Sequence, residues 1–271
     1  MKVLFLILSI SKYFLYFLIV LTLIMVACYT LKSPSNDRLW EVGQQKTSSI
    51  SIDENNRVSI ENMRDFDWVL SEGIVLNLNS NSNKKNNYKN FQFDLSNLES
   101  MQVAVSHFSA INEIAHVFLM FELNNKQKFG FSIEARREKG EKYSLLGGLF
   151  GQFELIYLFA TEDDLIGLRK SRDEKLFLYP TKINSQEIQK IFQLIINKTN
   201  RIASNPKLYH LFFKNCTTGI VDIVEQVSGH KYPKLIQALM PGNAGKALYE
   251  MELIASEGKK FEAVQQAALV K

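Results

Sequence analysis

Two short stretches of this sequence hold residue types that do chemistry once a fold brings them together. The first is Asn215-Cys216-Thr217-Thr218. It opens an apolar stripe of Ile220, Ile223, Val224 and Val227 at helical spacing, closed by Gly229 as a natural C-cap. A thiol at a helix N-terminus meets unpaired backbone N–H groups and the positive end of the dipole, which lower its pKa and favour the thiolate nucleophile. The same N–H groups are suited to hold an oxyanion as charge grows on a carbonyl oxygen. The alternative is an inert thiol that packs as a small hydrophobe. The second stretch is His116, at the start of a strongly apolar run, with Glu134 eighteen positions later. If the two runs form a hairpin across Asn124 to Lys128, imidazole and carboxylate lie at the same end of a sheet, and the carboxylate fixes the tautomer of the base. A core histidine, and a Glu134 paired with Arg136 or Arg137, are the alternatives. His107 is a backup base, His210 lies six residues before Cys216, and His230 follows a helix C-cap.

These residues need strands and helices to position them. Arg57-Val58-Ser59-Ile60 alternates as a short strand, which Phe66-Asp67-Trp68 continues. Asn77 to Asn90 is dense in Asn, Ser and Lys and reads as an exposed loop. Met101 to Phe108, Ala115 to Leu123, Phe129 to Ala135, Phe153 to Ala160 and Lys175 to Tyr179 read as strands. A helix then opens at Asn184 or Ser185, with Ile188, Ile191, Phe192, Ile195 and Ile196 on one face, and the Cys216 helix follows. Strands come first and helices after, so the pattern predicts an α+β fold with an antiparallel sheet. Glu252 to Lys271 is helix-prone and amphipathic.

The chain has 271 residues with 32 basic and 28 acidic side chains, net +4. That balance, without a clustered basic face, excludes a dedicated nucleic-acid binder. Two cysteines exclude a disulfide scaffold and a multi-cysteine zinc module, and four histidines leave little for a histidine-rich metal site. There is no phosphate loop, dinucleotide fingerprint, His-Glu-x-x-His or Gly-x-Ser-x-Gly; no metal or organic cofactor is expected.

Tyr13 to Leu31 is 19 residues without a charge, close to the length that spans a bilayer. Lys2 and Lys12 precede it, which predicts a cytoplasmic N-terminus and an exported remainder. The expected organisation is residues 1–31 as membrane anchor or signal segment, 32–56 as a polar tether, and 57–271 as the catalytic domain. Lipidation of Cys28 after Met25-Val26-Ala27 is an alternative to a single-pass anchor in the inner membrane, as is a cleaved signal.

Several consecutive motifs add a resemblance. They are Ser35-Asn36-Asp37-Arg38-x-Trp40, Ala115-His116-x-Phe118-Leu119-x-Phe121, Ser132-Ile133-Glu134-Ala135-Arg136-Arg137-Glu138, and Gly148-Leu149-Phe150-x-Gln152-x-Glu154-Leu155-Ile156-Tyr157. Asp164-Leu165-Ile166-Gly167-Leu168-Arg169, Leu178-Tyr179-Pro180, Asn215-Cys216-Thr217-Thr218 and Leu239-Met240-Pro241-Gly242 complete them. From about Ser35 to about Leu253 the sequence resembles the family of the Lnb N-terminal periplasmic domain. That resemblance implies a permuted papain-like (NlpC-like) domain in which the His precedes the Cys. It implies an N-acyltransferase that moves a fatty acyl chain from a membrane phospholipid, through a cysteine thioester, to the α-amine of a diacylglyceryl-cysteine lipoprotein. Residue by residue it puts the nucleophile on Cys216, the base on His116 and a supporting acid on Glu134. Asn215, Thr217, Arg136 and Arg137 are the expected supporting or substrate-binding residues. Lys214 stands where an uncharged polar residue is expected beside Asn215. A cysteine hydrolase, acting on cell wall or phospholipid, and a non-catalytic envelope binding module are the alternatives.

Overall fold

The computed structural model describes residues 2–71, 74–77, 87–108, 111–229, 231 and 240–270. Its centre is a meander of alternating, apolar-rich segments. These are β6 (Leu98–His107), β7 (His116–Leu123), β8 (Lys128–Arg136) and β9 (Glu154–Thr161), with β10 (Lys175–Pro180) returning beside β6. All of these neighbours are antiparallel. At the other edge, β2 (Arg57–Arg64) meets β9 in parallel at Arg64 and Ala160, and pairs antiparallel with β1 (Ser49–Ile52) and β5 (Tyr88–Asp94). The sheet is therefore mixed, where the sequence pattern predicted an antiparallel one. A separate hairpin joins β3 (Trp68–Ser71) to β4 (Ile74–Asn77). The structure is thus α+β with helices packed on a mixed sheet.

Period-two alternation divides the sheet into two faces. Odd-numbered side chains such as Val105, Leu119, Phe121, Phe129, Phe131 and Phe159 form the larger core with α4 (Ser185–Ser204) and α5 (Cys216–Ser228). Asn184 caps α4 through a reciprocal bond pair with Glu187, and Gly229 ends α5 in the left-handed conformation, as the sequence indicated. Even-numbered Phe118, Met120, Ile156, Leu158 and Ala160 form a smaller core under Leu165 of α3 (Glu162–Ser171). Helix α3 interrupts the expected run of strands. Its signal was local: Thr161 caps it by accepting from the Asp164 N–H, and three acids fill its first turn. The short α2 (Leu145–Leu149) and α6 (Ala244–Glu250) also lie outside the expected elements. The C-terminal segment gives α7 only over Phe261–Ala268. Residues 78–86 of the expected loop, His230 and Leu239 lie outside the described residues.

Residues 32–56 are not a free tether. Trp40, Gln44 and Ser48 are buried, and β1 adds an edge strand. Arg136 causes much of this. Its guanidinium is buried, lies 4.0 Å from the Trp40 ring centre, and donates to the Gln44 and Gln45 carbonyls and Asn36 Oδ1 at 2.8, 3.0 and 2.8 Å. Arg38 adds a 3.2 Å pair to the buried Glu154, which Lys32 also approaches at 3.5 Å. Ahead of this segment, α1 (Lys2–Leu31) is a single helix. Side chains are described for Lys12 to Ala27, and Tyr13 to Val20 are all exposed. Among the described residues, no helix is long and apolar enough to cross a membrane.

Gly130 sets the distance between β8 and α3. A Cβ there would stand 2.3 Å from Leu165 Cδ1 and 3.0 Å from the Leu119 carbonyl oxygen. Gly130→Val should cost about 1–3 kcal/mol by overpacking, read as a lower thermal midpoint; an unchanged midpoint would mean that α3 does not sit this close.

Candidate functional site

The larger of the two described cavities is a cleft of about 570 Å³ at the end of β7 and β8. Cys216, His116 and Glu134 all line it, together with Gln44, Arg64, Arg137, Tyr143, Arg169, Arg172 and Tyr209. The hairpin expected between His116 and Glu134 is present, with register Leu119–Phe131 through Glu122–Lys128. Toward His116 and Glu134 that ladder is not closed, and the cleft opens there.

Cys216 is the first residue of α5. Asn215 caps the helix by accepting from the Thr218 N–H at 2.8 Å while its own N–H donates to Thr218 Oγ1 at 3.0 Å. Its side-chain amide also donates to the Leu211 carbonyl. Gly219 lets α5 approach β8, since a Cβ there would meet Ile133 Cδ1 at 2.5 Å. The thiol is buried. It lies 3.7 Å from Thr217 Oγ1, and the backbone N–H groups of Val117, Thr217 and Cys216 stabilise its charged form. Burial pushes the thiol pKa above its ordinary value, and those groups offset this only in part. The helix N-terminus therefore does not leave a resting thiolate, contrary to what the position of Cys216 in the sequence suggested.

His116 lies on the α3 face of the sheet, stacked on Phe118. Its Nε2 is 2.8 Å from Ser132 Oγ, and Ser132 in turn donates to Glu134 Oε1 at 3.0 Å. The direct His116–Glu134 separation is 3.9 Å, so the carboxylate acts on the ring through Ser132. Ser132 has one proton and gives it to Glu134, so Nε2 carries the imidazole proton and Nδ1 keeps the free lone pair. Desolvation first, and Arg169 second, drive the His116 pKa down to about 3. Burial alone would raise the Glu134 carboxyl, but Arg64 and Arg169 hold it well below the usual carboxylate range. The resting pair is thus neutral thiol and neutral imidazole. Among the described residues no hydrogen bond joins the two; both line the cleft, and Val117, next to His116 in the chain, acts electrostatically on the thiol.

A shell that sequence reasoning missed surrounds Glu134. Arg64 pairs with Asp164 at 2.7 Å and with Glu134 at 3.8 Å. Arg169 reaches Glu134 at 3.5 Å and Glu174 at 3.7 Å. Gln44 Nε2 donates to Glu134 Oε2 at 3.4 Å and to the Ala135 carbonyl at 3.1 Å. Ser132 alone was legible, two residues before Glu134 and so on the same strand face. Of the expected supporting residues, Asn215 caps α5, Thr217 touches the thiol and Arg137 lines the cleft. Arg136 does not line it and holds residues 36–45 instead. His107 bonds the Asn112 carbonyl at 3.0 Å, and His210 Nδ1 accepts the Phe212 N–H; neither lines the cleft. Among the described residues no group of three or more His, Cys, Asp and Glu is placed to hold a metal ion.

A family model described as the Lnb N-terminal periplasmic domain matches residues 84–242. The chain belongs to that family. The match takes in β5 to α5 and so includes His116, Ser132, Glu134, Asp164, Arg169 and Cys216. Gln44, Arg64 and the Ser35–Trp40 motif lie outside it. No curated protein and no solved structure matches the chain. Family membership supports a periplasmic domain.

Two measurements follow from these charge states. By NMR the His116 ring should stay neutral from pH 7 down to about pH 4, titrating near 3. Because the unfolded chain binds this proton from pH 6.5 downward, His116 withdraws stability as pH falls below 6.5. Glu134, also depressed, adds a further loss below about 4.5. The denaturant midpoint should therefore drop between pH 7 and 5, and drop less in His116→Gln; an equal drop in both would refute the buried neutral ring.

Proposed function

We propose that this protein is a Lnb-type, lipoprotein-processing acyltransferase that works through a thioester on Cys216. The observation that carries this reading is the single cleft lined by Cys216, at a helix N-terminus, and by His116, whose Nδ1 lone pair is left free by the Ser132–Glu134 relay. The family match supports it.

The steps follow from the charge states. The thiol proton moves to His116 Nδ1 as sulfur attacks an ester carbonyl of a phospholipid. Backbone N–H groups at the start of α5 face the developing oxyanion. The S–C bond forms, the ester C–O bond breaks, and the lysophospholipid oxygen leaves with the proton from His116. The α-amine of a diacylglyceryl-cysteine lipoprotein then attacks the thioester. A proton passes from that amine to His116, the C–S bond breaks, and the sulfur leaves with that proton. One difficult transfer becomes two easier ones. Ser132 and Glu134 fix the ring tautomer throughout. A hydrolase would differ only in taking water in the second step.

In this reading α1 anchors the protein in the inner membrane as a single pass and the folded domain faces the periplasm. The support is the uncharged run from Tyr13 to Leu31 and the exposure of its described side chains. A tether confines the enzyme to the layer that holds both lipid substrates and raises their effective concentration.

Incubation of the full chain with phospholipid vesicles should add the mass of one fatty acyl chain. Neutral hydroxylamine should remove it, and Cys216→Ala should not acquire it. Supplying a diacylated lipopeptide should discharge the adduct onto that amine. An acyl adduct that persists in Cys216→Ala would place the chemistry elsewhere. No adduct at any lipid concentration would leave an envelope binding module. Ser132→Ala should slow adduct formation by about 10- to 100-fold, as expected for loss of the group that orients a general base.

A further inference from the structure

Among the described residues beyond α1, few large apolar side chains are exposed; Val42 and Phe108 line the cleft, and Leu39, Leu145, Leu146 and Phe213 lie within four residues of lining ones in the chain. Leu39 is 80% exposed, two residues before cleft-lining Glu41. Leu146 is 68% exposed with Leu145 beside it, on α2, which directly follows the lining Tyr143. Phe213 is 68% exposed in the turn between the lining Tyr209 and Cys216. Val42 and Phe108 are exposed and line the cleft themselves.

Backbone bonds hold these pieces together. The Leu211 N–H donates to the Gly148 carbonyl at 3.0 Å and fixes the Phe213 turn to α2. The Lys139 N–H donates to the Leu39 carbonyl at 2.7 Å. The end of α1 is fastened at the same place, because Lys32 donates to the Gln152 carbonyl and pairs with Glu154, both just after α2. Three exposed lysines lie among these apolar residues: Lys139, Lys142 and Lys214. Among the described residues no carboxylate lies within ion-pair distance of any of them.

We infer that the apolar rim of Leu39, Leu145, Leu146 and Phe213 is a docking surface that seats the cleft mouth on an anionic phospholipid bilayer. Apolar side chains interleaved with exposed lysines, of which Lys139 also feels Glu41, are the chemistry of an interfacial membrane contact: the former enter the headgroup–acyl boundary and the latter meet lipid phosphates. A protein partner of matching size would also accept apolar residues. The continuity of the rim with the end of α1, whose run from Tyr13 to Leu31 carries no charge, favours the bilayer. The surface stands on its own exposed residues; its consequence, that a phospholipid passes from the bilayer into the cleft without crossing water, rests on the acyl-transfer reading.

The test uses the full chain in vesicles of phosphatidylethanolamine and phosphatidylglycerol, with the wild-type chain correcting for Trp40 and Trp68. Tryptophan is placed singly by Leu146→Trp, Phe213→Trp and, as a control on the edge strand β1, Ile52→Trp. Lipids brominated along the acyl chain should quench the first two by about twofold or more and leave the control unchanged, as expected for shallow insertion. Equal quenching at all three, or none at residues 146 and 213, overturns the docking surface. Leu146→Glu with Phe213→Glu should also lower Cys216 acylation from vesicles while sparing acylation from a short-chain phospholipid kept below its micelle concentration. Loss of both activities would mean that the substitutions damage the cleft and would count against a separate docking role. If wild type forms no acyl adduct but the quenching pattern holds, the acyl-transfer reading fails and the docking surface stands.

Discussion

The arrangement of the cleft depends on one largely enclosed carboxylate. Glu134 keeps only 14% of its side-chain surface exposed, on the cleft, and its charge is held by Arg64 and Arg169 approaching from two sides and by donation from Ser132 and Gln44. Each arginine is buried and needs its own partner, which Asp164 supplies to Arg64 and Glu174 to Arg169. One charge thereby ties β8 to β2, to α3 and to the start of β10. Breaking such a pair by removing one member typically costs about 3–5 kcal/mol, because the survivor is left charged and dry. The network thus fixes where β2 and α3 lie, and with them the wall of the cleft facing His116.

The same network explains which parts of the site were legible in the sequence. Period-two alternation in 115–123 and 129–135 gave the hairpin, and the hairpin gave the nearness of His116 and Glu134. The helical stripe after Cys216 and its Asn215 cap gave α5 and the position of the thiol. Each signal lies within a dozen or so residues. Arg64, Asp164 and Arg169 left no such trace: Arg64 and Asp164 are one hundred positions apart, and each alone reads as an ordinary surface charge. Arg136 and Arg137 looked like partners for Glu134 because they are near in sequence. Arg136 shares a strand face with Glu134, yet its guanidinium is taken up by Trp40 and by the Gln44 and Gln45 carbonyls of the segment read as a tether. Polar composition marked residues 32–56 as linker, yet their bonds go to a buried guanidinium and a buried carboxylate that no local pattern reveals.

Charge states were the least legible feature. Position alone gave Cys216 a lowered pKa, from the helix N-terminus, and gave His116 a carboxylate neighbour to fix its tautomer. Both effects operate, but desolvation decides both charge states. Around the sulfur, three backbone N–H groups and one hydroxyl do not replace water. Around the imidazole, the attraction of Glu134 is already spent on two arginines, whose positive charges oppose a third.

That balance constrains any chemistry the pair performs. A thiolate–imidazolium pair at rest would place a new cation beside Arg64, Arg169 and Arg172 and a new anion in a site that lacks full solvation. The neutral pair avoids both. Sulfur therefore gains nucleophilic character only as its proton leaves, and the ring holds that proton only while negative charge is building nearby. A carbonyl oxygen becoming an oxyanion supplies such charge, in reach of the N–H groups that begin α5. Proton transfer and attack are then coupled by electrostatics: the arginines that hold Glu134 and fix the histidine tautomer also keep the histidine neutral until a substrate arrives.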